Sequence, residues 1–494
     1  MTALREGPRP PAAAELSSRK RMTATLGVIL ALALTSIDVS VVSTAMPHIV
    51  GELHGLAVYA WAGVTYAVAA AVVVPIAGKL GDMFGRKPFL LVGLVGFMAS
   101  SWACGAAQTM TQLIVLRGLQ GLFAGIQMAN IFTVVADIFT AERRIQIQGV
   151  LFSVAGLSMV IGPPLGGYIT DSIGWRWVFY INVPIVLVTV FAVLTAVPFV
   201  RSSARWRDID FAGVATLVAG LAPILVGLSL AGDGHAWSSV AVIGPIAGGA
   251  VMLGAFVYTE LRVAAHPIVP FDLFKSNQFA VMVAVAFFSA FAMMGTLFYV
   301  PLLYQSVLGI SATFSGSLLI PLTLALMVVP PIAGKALSSM PRYRYLGTLA
   351  FAAMVGGLLL LTGVDPGSGR GVTVLAMVLV GLGIGIAFPM ATSVVQSAVP
   401  MKLLGAATSQ VQFWRMIAGP VAIAVLGTLM SGKTGAAASP RQLASALHEV
   451  FLVAGLTVAL GLVATLFLKE VPLRKMPGMA RRKKKSATPV SETV

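Results

Sequence analysis

Charged residues are scarce in this sequence. Asp, Glu, Lys and Arg make up 10% of the 494 residues and 58% are hydrophobic, a balance that excludes a water-facing exterior for a chain of this length. Cysteine is nearly absent: Cys104 stands alone, so no disulfide can form within the chain. Neither HExxH nor GxSxG occurs, which removes the usual zinc and serine routes to intramembrane hydrolysis, and no catalytic residue, metal ligand or cofactor is expected. One phosphate-loop match, GTLMSGKT from Gly427 to Thr434, follows an apolar run where a strand is needed, and is read as coincidence. No cleavable leader is expected. The basic stretch Arg19, Lys20, Arg21 opens an apolar run that continues to about Pro47 without a small-residue cleavage site, so it reads as a retained first span.

What the sequence has in abundance is long apolar runs. A bilayer core takes about 20 such residues per helix, and runs of that kind centre near residues 36, 68, 98, 122, 158, 188, 219, 249, 290, 322, 354, 382, 417 and 457. Fourteen helices put both tails on one side. Of 33 Lys and Arg residues, 27 fall on that side; four (Arg176, Arg370, Lys433 and Arg441) fall on the other, and Arg117 and Arg415 lie inside or near spans. The bias predicts cytoplasmic tails, and the location expected for the chain is a bacterial cytoplasmic (inner) membrane. It also accounts for the net charge of +16 and the run Arg481 to Lys485 without invoking nucleic acid; specific binding of anionic lipid is the competing reading of that run.

Internal repetition divides the spans. VPIAGKL (Val74 to Leu80) returns as PPIAGKAL (Pro330 to Leu337), LRGLQG from Leu116 aligns with LVGLGI from Leu379, and Gly162-Pro163 aligns with Gly419-Pro420, at offsets of 256 to 263 residues. Six spans match six, as in transporters built from two related halves. The expected organisation is an all-α membrane protein: a cytoplasmic tail (1–22), a six-helix bundle (23–200), a linker carrying two extra membrane helices (201–275), a second six-helix bundle in pseudo-twofold relation to the first (276–469), and a basic tail (470–494).

GKLGDMFGRKP (Gly78 to Pro88) resembles the signature loop between the second and third spans of the major facilitator superfamily. SIDVSVVSTAMP in span one, LIVLRGLQG in span four, GPPLGG in span five, WRWVFYINVP at span six and HPIVPFDLF before span nine are similar to segments of its fourteen-span drug:proton antiporters. That resemblance implies proton-coupled export of lipophilic small molecules. The residues leave two alternatives open: a proton-coupled exporter of an endogenous metabolite, peptide or lipid, and a non-transporting membrane sensor that kept the fold.

An ionisable group at mid-membrane costs about 3 kcal/mol on insertion scales, so each invites a function. Asp38 lies near the middle of span one with no basic residue in helical reach, and is the best proton carrier on offer; the competing reading has Ser36, Ser40 or Ser43 satisfying it as a packing element. Arg117 has Val380 at the matching repeat position, which favours a coupling role over a scaffold role, against a reading in which it snorkels outward. In the antiporters resembled, this arginine is implicated in proton transfer. Gln120 and Asn130 follow on the same span as polar groups that could line a pathway. The family has a further glycine where this chain has Phe123.

Gly78, Gly81 and Gly85 permit a tight turn carrying Asp82, Arg86 and Lys87, with Asp137 and Arg143 as partners for ion pairs that break as the halves rock. By resemblance this loop locks one conformation. Gly162, Pro163, Pro164, Gly166 and Gly167 suit a bending interface between halves. For substrate, the ninth span offers Phe291, Met294, Phe298, Tyr299 and Gln305, readable equally as lipid-facing packing, and the thirteenth offers Gln410. The partners expected are a small lipophilic substrate, protons and the bilayer, with the chain acting as a monomer.

Overall fold

The computed structural model describes residues 17–54, 61–199, 209–232, 235–264, 267–306, 319–340, 342–364, 370–431 and 440–470. Fourteen of its helices are long and apolar enough to cross a membrane. They are α1 (Ser18–Leu53), α2 (Trp61–Phe84), α3 (Arg86–Gly105), α4 (Met110–Ile138), α5 (Ala141–Ile173), α6 (Trp177–Ala196), α7 (Phe211–Gly232), α8 (Val240–Arg262), α9 (Asn277–Ser306), α10 (Ile320–Ser339), α11 (Arg344–Leu361), α12 (Arg370–Ala398), α13 (Leu404–Ser431) and α14 (Pro440–Leu466). No strand occurs among the described residues. A bilayer demands this, because only a helix satisfies every backbone N–H and C=O within its own segment.

The packing repeats with the sequence. Helix α1 packs on α4, α5 and α6 as α9 packs on α12, α13 and α14; α2 meets α4 as α10 meets α12; α3 meets α4 and α6 as α11 meets α12 and α14. Between the halves, α2 packs on α13 and α5 on α10. Since α2 corresponds to α10 and α5 to α13, these two seams exchange under a twofold rotation, and the fold is two six-helix bundles in pseudo-twofold relation. The insert α7/α8 stands outside that symmetry. Helix α7 packs on α2 and α13 and so lies over one seam only. Helix α8 packs mainly on α7 and turns Val240, Val251 and Tyr258 outward.

Both ends of the hairpin are tied. In its turn, Trp237 donates to the Thr428 hydroxyl of α13. At the other end, both oxygens of buried Glu260 accept backbone N–H groups of the following linker, Ile268 and Val269, each at 3.1 Å. Glu260 thus serves as an anchor for the HPIVPFDLF segment, of which His266 lies outside the described residues.

Basic residues collect at one face. Lys79 near the end of α2, Arg86 at the start of α3, Arg143 and Arg144 in the first turn of α5, Arg262 ending α8, Lys335 near the end of α10 and Arg344 starting α11 share the face at which α1 begins. At the opposite face, Glu52 near the end of α1 accepts from Trp175 Nε1 at 2.7 Å and pairs with Arg176, both at the turn into α6. Arg176, then Trp175, hold the Glu52 carboxyl below the usual carboxylate range. A depressed value means that the contact stabilises above the ordinary glutamate range and is lost as pH falls through the folded-state value. Glu52→Gln is therefore expected to lower Tm slightly at pH 7, consistent with about 0.2–1 kcal/mol for an exposed pair. The difference from the wild type should shrink as pH falls below the ordinary glutamate range; differential scanning calorimetry in detergent at pH 7 and at successively lower pH checks this.

Candidate functional site

Asp38 is 1% exposed in α1 and is met by three donors from two other helices. Arg117 Nη1 of α4 lies 2.7 Å from Oδ2; Gln120 Nε2, one turn along α4, and Asn182 Nδ2 of α6 lie 3.0 and 2.9 Å from Oδ1. Those atoms can only donate, so the carboxylate sits in an acceptor-only arrangement. A second tier holds the first. Gln120 Oε1 accepts from Arg117 Nη1 at 2.7 Å, fixing the orientation of the amide, and Asn182 also donates to Ser101 Oγ on α3. The Tyr66 ring of α2 lies 4.3 Å from the Arg117 guanidinium carbon.

Glycine lets these helices close in. A Cβ on Gly121 or Gly125 of α4 would collide with the backbone of Tyr66 or Ala70 on α2. On α5, a Cβ on Gly162 would strike Ser40 and one on Gly166 would come within 2.8 Å of the Val41 carbonyl. The Gly162–Gly167 segment therefore packs against α1 inside the first bundle, two residues beyond Asp38. This corrects the expectation of a flexing surface between halves: α5 stays helical through Pro163 and Pro164, and Gly167 makes only ordinary contact with Thr44. Phe123 fits without the family's glycine because α3 supplies one, Gly96, under its ring. Ser40 and Ser43 hydrogen-bond within α1 and are not partners of Asp38.

The Gly78–Lys87 segment is less of a loop than expected. Helix α2 runs to Phe84 and α3 begins at Arg86, leaving Gly85 alone as the turn, with φ +96°. Gly78 and Gly81 serve close approach: a Cβ on the first would strike Ser409 of α13, and on the second Asn130 of α4. Asp82 then spans the halves. Its oxygens accept the N–H groups of Gly405 and Ala406, 2.8 Å each, in the first turn of α13, where a helix end attracts an anion. Arg86 bridges Asp82, at 2.9 Å, to Asp137 at the end of α4. Lys87 lies outside this cluster and donates to the Leu194 carbonyl. The fourth residue is Arg144, buried and within electrostatic reach of Asp137, whereas Arg143 is exposed.

A buried amide network joins the same face. Ser393 Oγ donates to Gln148 Oε1 at 2.6 Å, Gln148 Nε2 to Gln396 Oε1 at 2.6 Å, and Gln396 Nε2 to Thr408 Oγ1 at 3.1 Å, linking α5 of one bundle to α12 and α13 of the other. With Asp82, it joins the halves on the side of the basic face, while Ser153 of α5 donates to the Met327 carbonyl of α10 nearer the middle of the spans.

The residues expected to line a substrate path do not converge. Gln120 belongs to the Asp38 cluster; Asn130 lies against Gly81; Phe291 is 1% exposed in the second bundle's core, with Met294 partly buried beside it. Tyr299 is buried, Phe298 is 55% exposed, Gln410 is 1% exposed, and the Gln305 side chain lies outside the described residues. Sequence reasoning missed Asn182, Ser101, Gln148 and Gln396. Their one signal was an amide or hydroxyl inside an otherwise apolar run.

Two related bundles meeting at exchanged seams, with an ionic cluster buried in the first and a charged clasp at its edge, define a membrane transporter built of two paired halves. The chain belongs to the Major Facilitator Superfamily, whose family model matches residues 28–423. It is 36% identical to the multidrug transporter protein MdtP of Bacillus subtilis (strain 168) over 84% of this chain and 76% of that one. It is 35% identical to multidrug resistance protein 3 of the same organism over 82% and 79%. The human organic anion transporter MFSD10 (TETRAN) superposes with a TM-score of 0.63, at 15% identity, over 89% of this chain and 99% of that one, a likeness of fold.

Proposed function

We propose that the protein exports lipophilic small molecules across a bacterial cytoplasmic membrane by alternating access, driven by protons that bind and leave Asp38. The observation that carries this reading is the carboxylate itself, closed from solvent and held by one cation and two amide donors. Protonation removes its charge and makes one oxygen a donor. Arg117 then loses its counter-ion and one of the amides its acceptor, so the contacts tying α1 to α4 and α6 weaken together. A proton entering through about 100 mV supplies about 2.3 kcal/mol, enough for roughly a fiftyfold gradient of a neutral substrate.

The positive-inside bias supports tails and basic face in the cytoplasm. In that orientation the Asp82 clasp and the glutamine network close the inner side. Residues 23–200 and 276–469 rock as bundles, and 201–275 carry the hairpin. The relatives named as multidrug transporters support a drug-like substrate.

Proteoliposomes loaded with a neutral lipophilic dye and given a pH gradient test the proposal. Dye movement should follow the gradient and stop when nigericin collapses it; movement indifferent to the gradient would overturn proton coupling.

A further inference from the structure

Arg415 of α13 is the second cation placed within a span, and unlike Arg117 it meets no carboxylate among the described residues. Its guanidinium lies 4.2 Å from the ring centre of Phe388 on α12 and 5.0 Å from that of Phe152 on α5, so it stands where the bundles face each other. Stacking occupies the flat faces of a guanidinium and leaves its N–H edges free to bind a planar acceptor. One edge bond goes to Gln412 Oε1; Nη2 has only a long 3.4 Å contact to the Phe388 carbonyl, and Nε has no partner. Gln412 shares that face of the helix, is 1% exposed, and leaves its Nε2 unpartnered; Trp414 Nε1 beside it is unpartnered as well.

All these unsatisfied atoms are donors. Buried donors without acceptors are costly, and the carbonyls of a span are mostly engaged by its own helical ladder. The charge balance agrees: Asp38 and Arg117 cancel, Asp82, Asp137 and Glu260 lie toward the ends of their helices, and Glu449 is on α14, which packs mainly within the second bundle, leaving the mid-membrane region between the bundles positive. Resting on the exporter reading above, we infer that Arg415 and Gln412 form the site for an acidic group, and that the preferred substrates are lipophilic aromatic anions whose rings pack on Phe152 and Phe388. This departs from the neutral substrate considered above. Outward movement of a monoanion against an entering proton also carries two charges down the membrane potential, so the electrical drive adds.

The test is equilibrium dialysis of the purified full chain in detergent against anthraquinone-2-carboxylate, its methyl ester and 2-(aminomethyl)anthraquinone. The carboxylate should bind about tenfold more tightly than the ester, as a charge-assisted bond implies, and the ammonium most weakly. Arg415→Gln should weaken the carboxylate about tenfold and leave the ester within about twofold; Arg415→Lys, which keeps the charge but loses the stacked planar fork, should recover only part of the loss. The inference is overturned if the ammonium binds as well as the carboxylate, if Arg415→Gln leaves the carboxylate unchanged, or if none of the three binds. Dye export tests the exporter reading separately: failure there with carboxylate binding intact removes the pump and keeps the site.

Discussion

Asp38→Asn is expected to reduce proton-driven export more than a hundredfold. Asparagine keeps the shape and can still accept from Gln120 or Asn182, but it does not titrate, so no proton is carried. It also strands Arg117. Breaking a buried pair by removing one partner costs about 3–5 kcal/mol, so the single variant should melt at a lower temperature. Lost transport alone would then be ambiguous. The double variant Asp38→Asn/Arg117→Gln removes both charges and should recover most of the thermal stability while remaining inactive. Substrate-induced proton release from sealed proteoliposomes, beside a melting curve for each variant, gives both readings. Export in Asp38→Asn that still responds to the pH gradient would falsify the assignment of Asp38 as carrier.

Asp82→Asn should have the second largest effect, through a different step. The carboxylate is 5% exposed and joins the bundles by accepting two N–H groups at the start of α13, while Arg86 ties it to Asp137. An asparagine retains one carbonyl and presents an amide group to the positive end of the helix. Loss of a charge-assisted contact of this kind is worth about 2–3 kcal/mol, which shifts the balance between closed and open basic faces roughly 30- to 150-fold. A cysteine at Ser393, fully buried in the glutamine network, reports the change in a Cys104→Ser background. Its alkylation from the basic face should accelerate in Asp82→Asn, and export should fall about tenfold or more. An unchanged alkylation rate would show that the clasp does not hold that face shut.

The architecture was readable from the sequence because the bilayer sets the length of each span and the two halves repeat recognisable segments. Asp38, Arg117 and the Asp82 cluster were singled out for a related physical reason: charge inside a span needs an explanation. Their partners were not readable. Asn182 reaches Asp38 from 144 positions away, and Gln148 reaches Gln396 from 248, so no local pattern announces either contact. Glycines misled in the opposite direction. Gly78, Gly81, Gly162 and Gly166 suggested turns and bending, but inside helices they act as flat surfaces on which a neighbour rests, and only packing identifies which neighbour. The stripe on α9 failed similarly. Helical period puts Phe291 and Phe298 on one side of α9, yet the first is in the core and the second outside.

The hairpin α7/α8 makes the two lines of contact between the bundles unequal toward the bilayer. In the proposed cycle, rocking that keeps the twofold relation widens and narrows both lines alike, but one is shuttered by α7 of the hairpin, whose turn is held to α13 through Trp237 and whose far end is held to the following linker through Glu260. On that reading a molecule dissolved among lipid tails meets a screened entrance along α2 and α13 and, among the described residues, an unscreened one along α5 and α10. The bilayer approach to the transporter is one-sided even though its moving parts are paired.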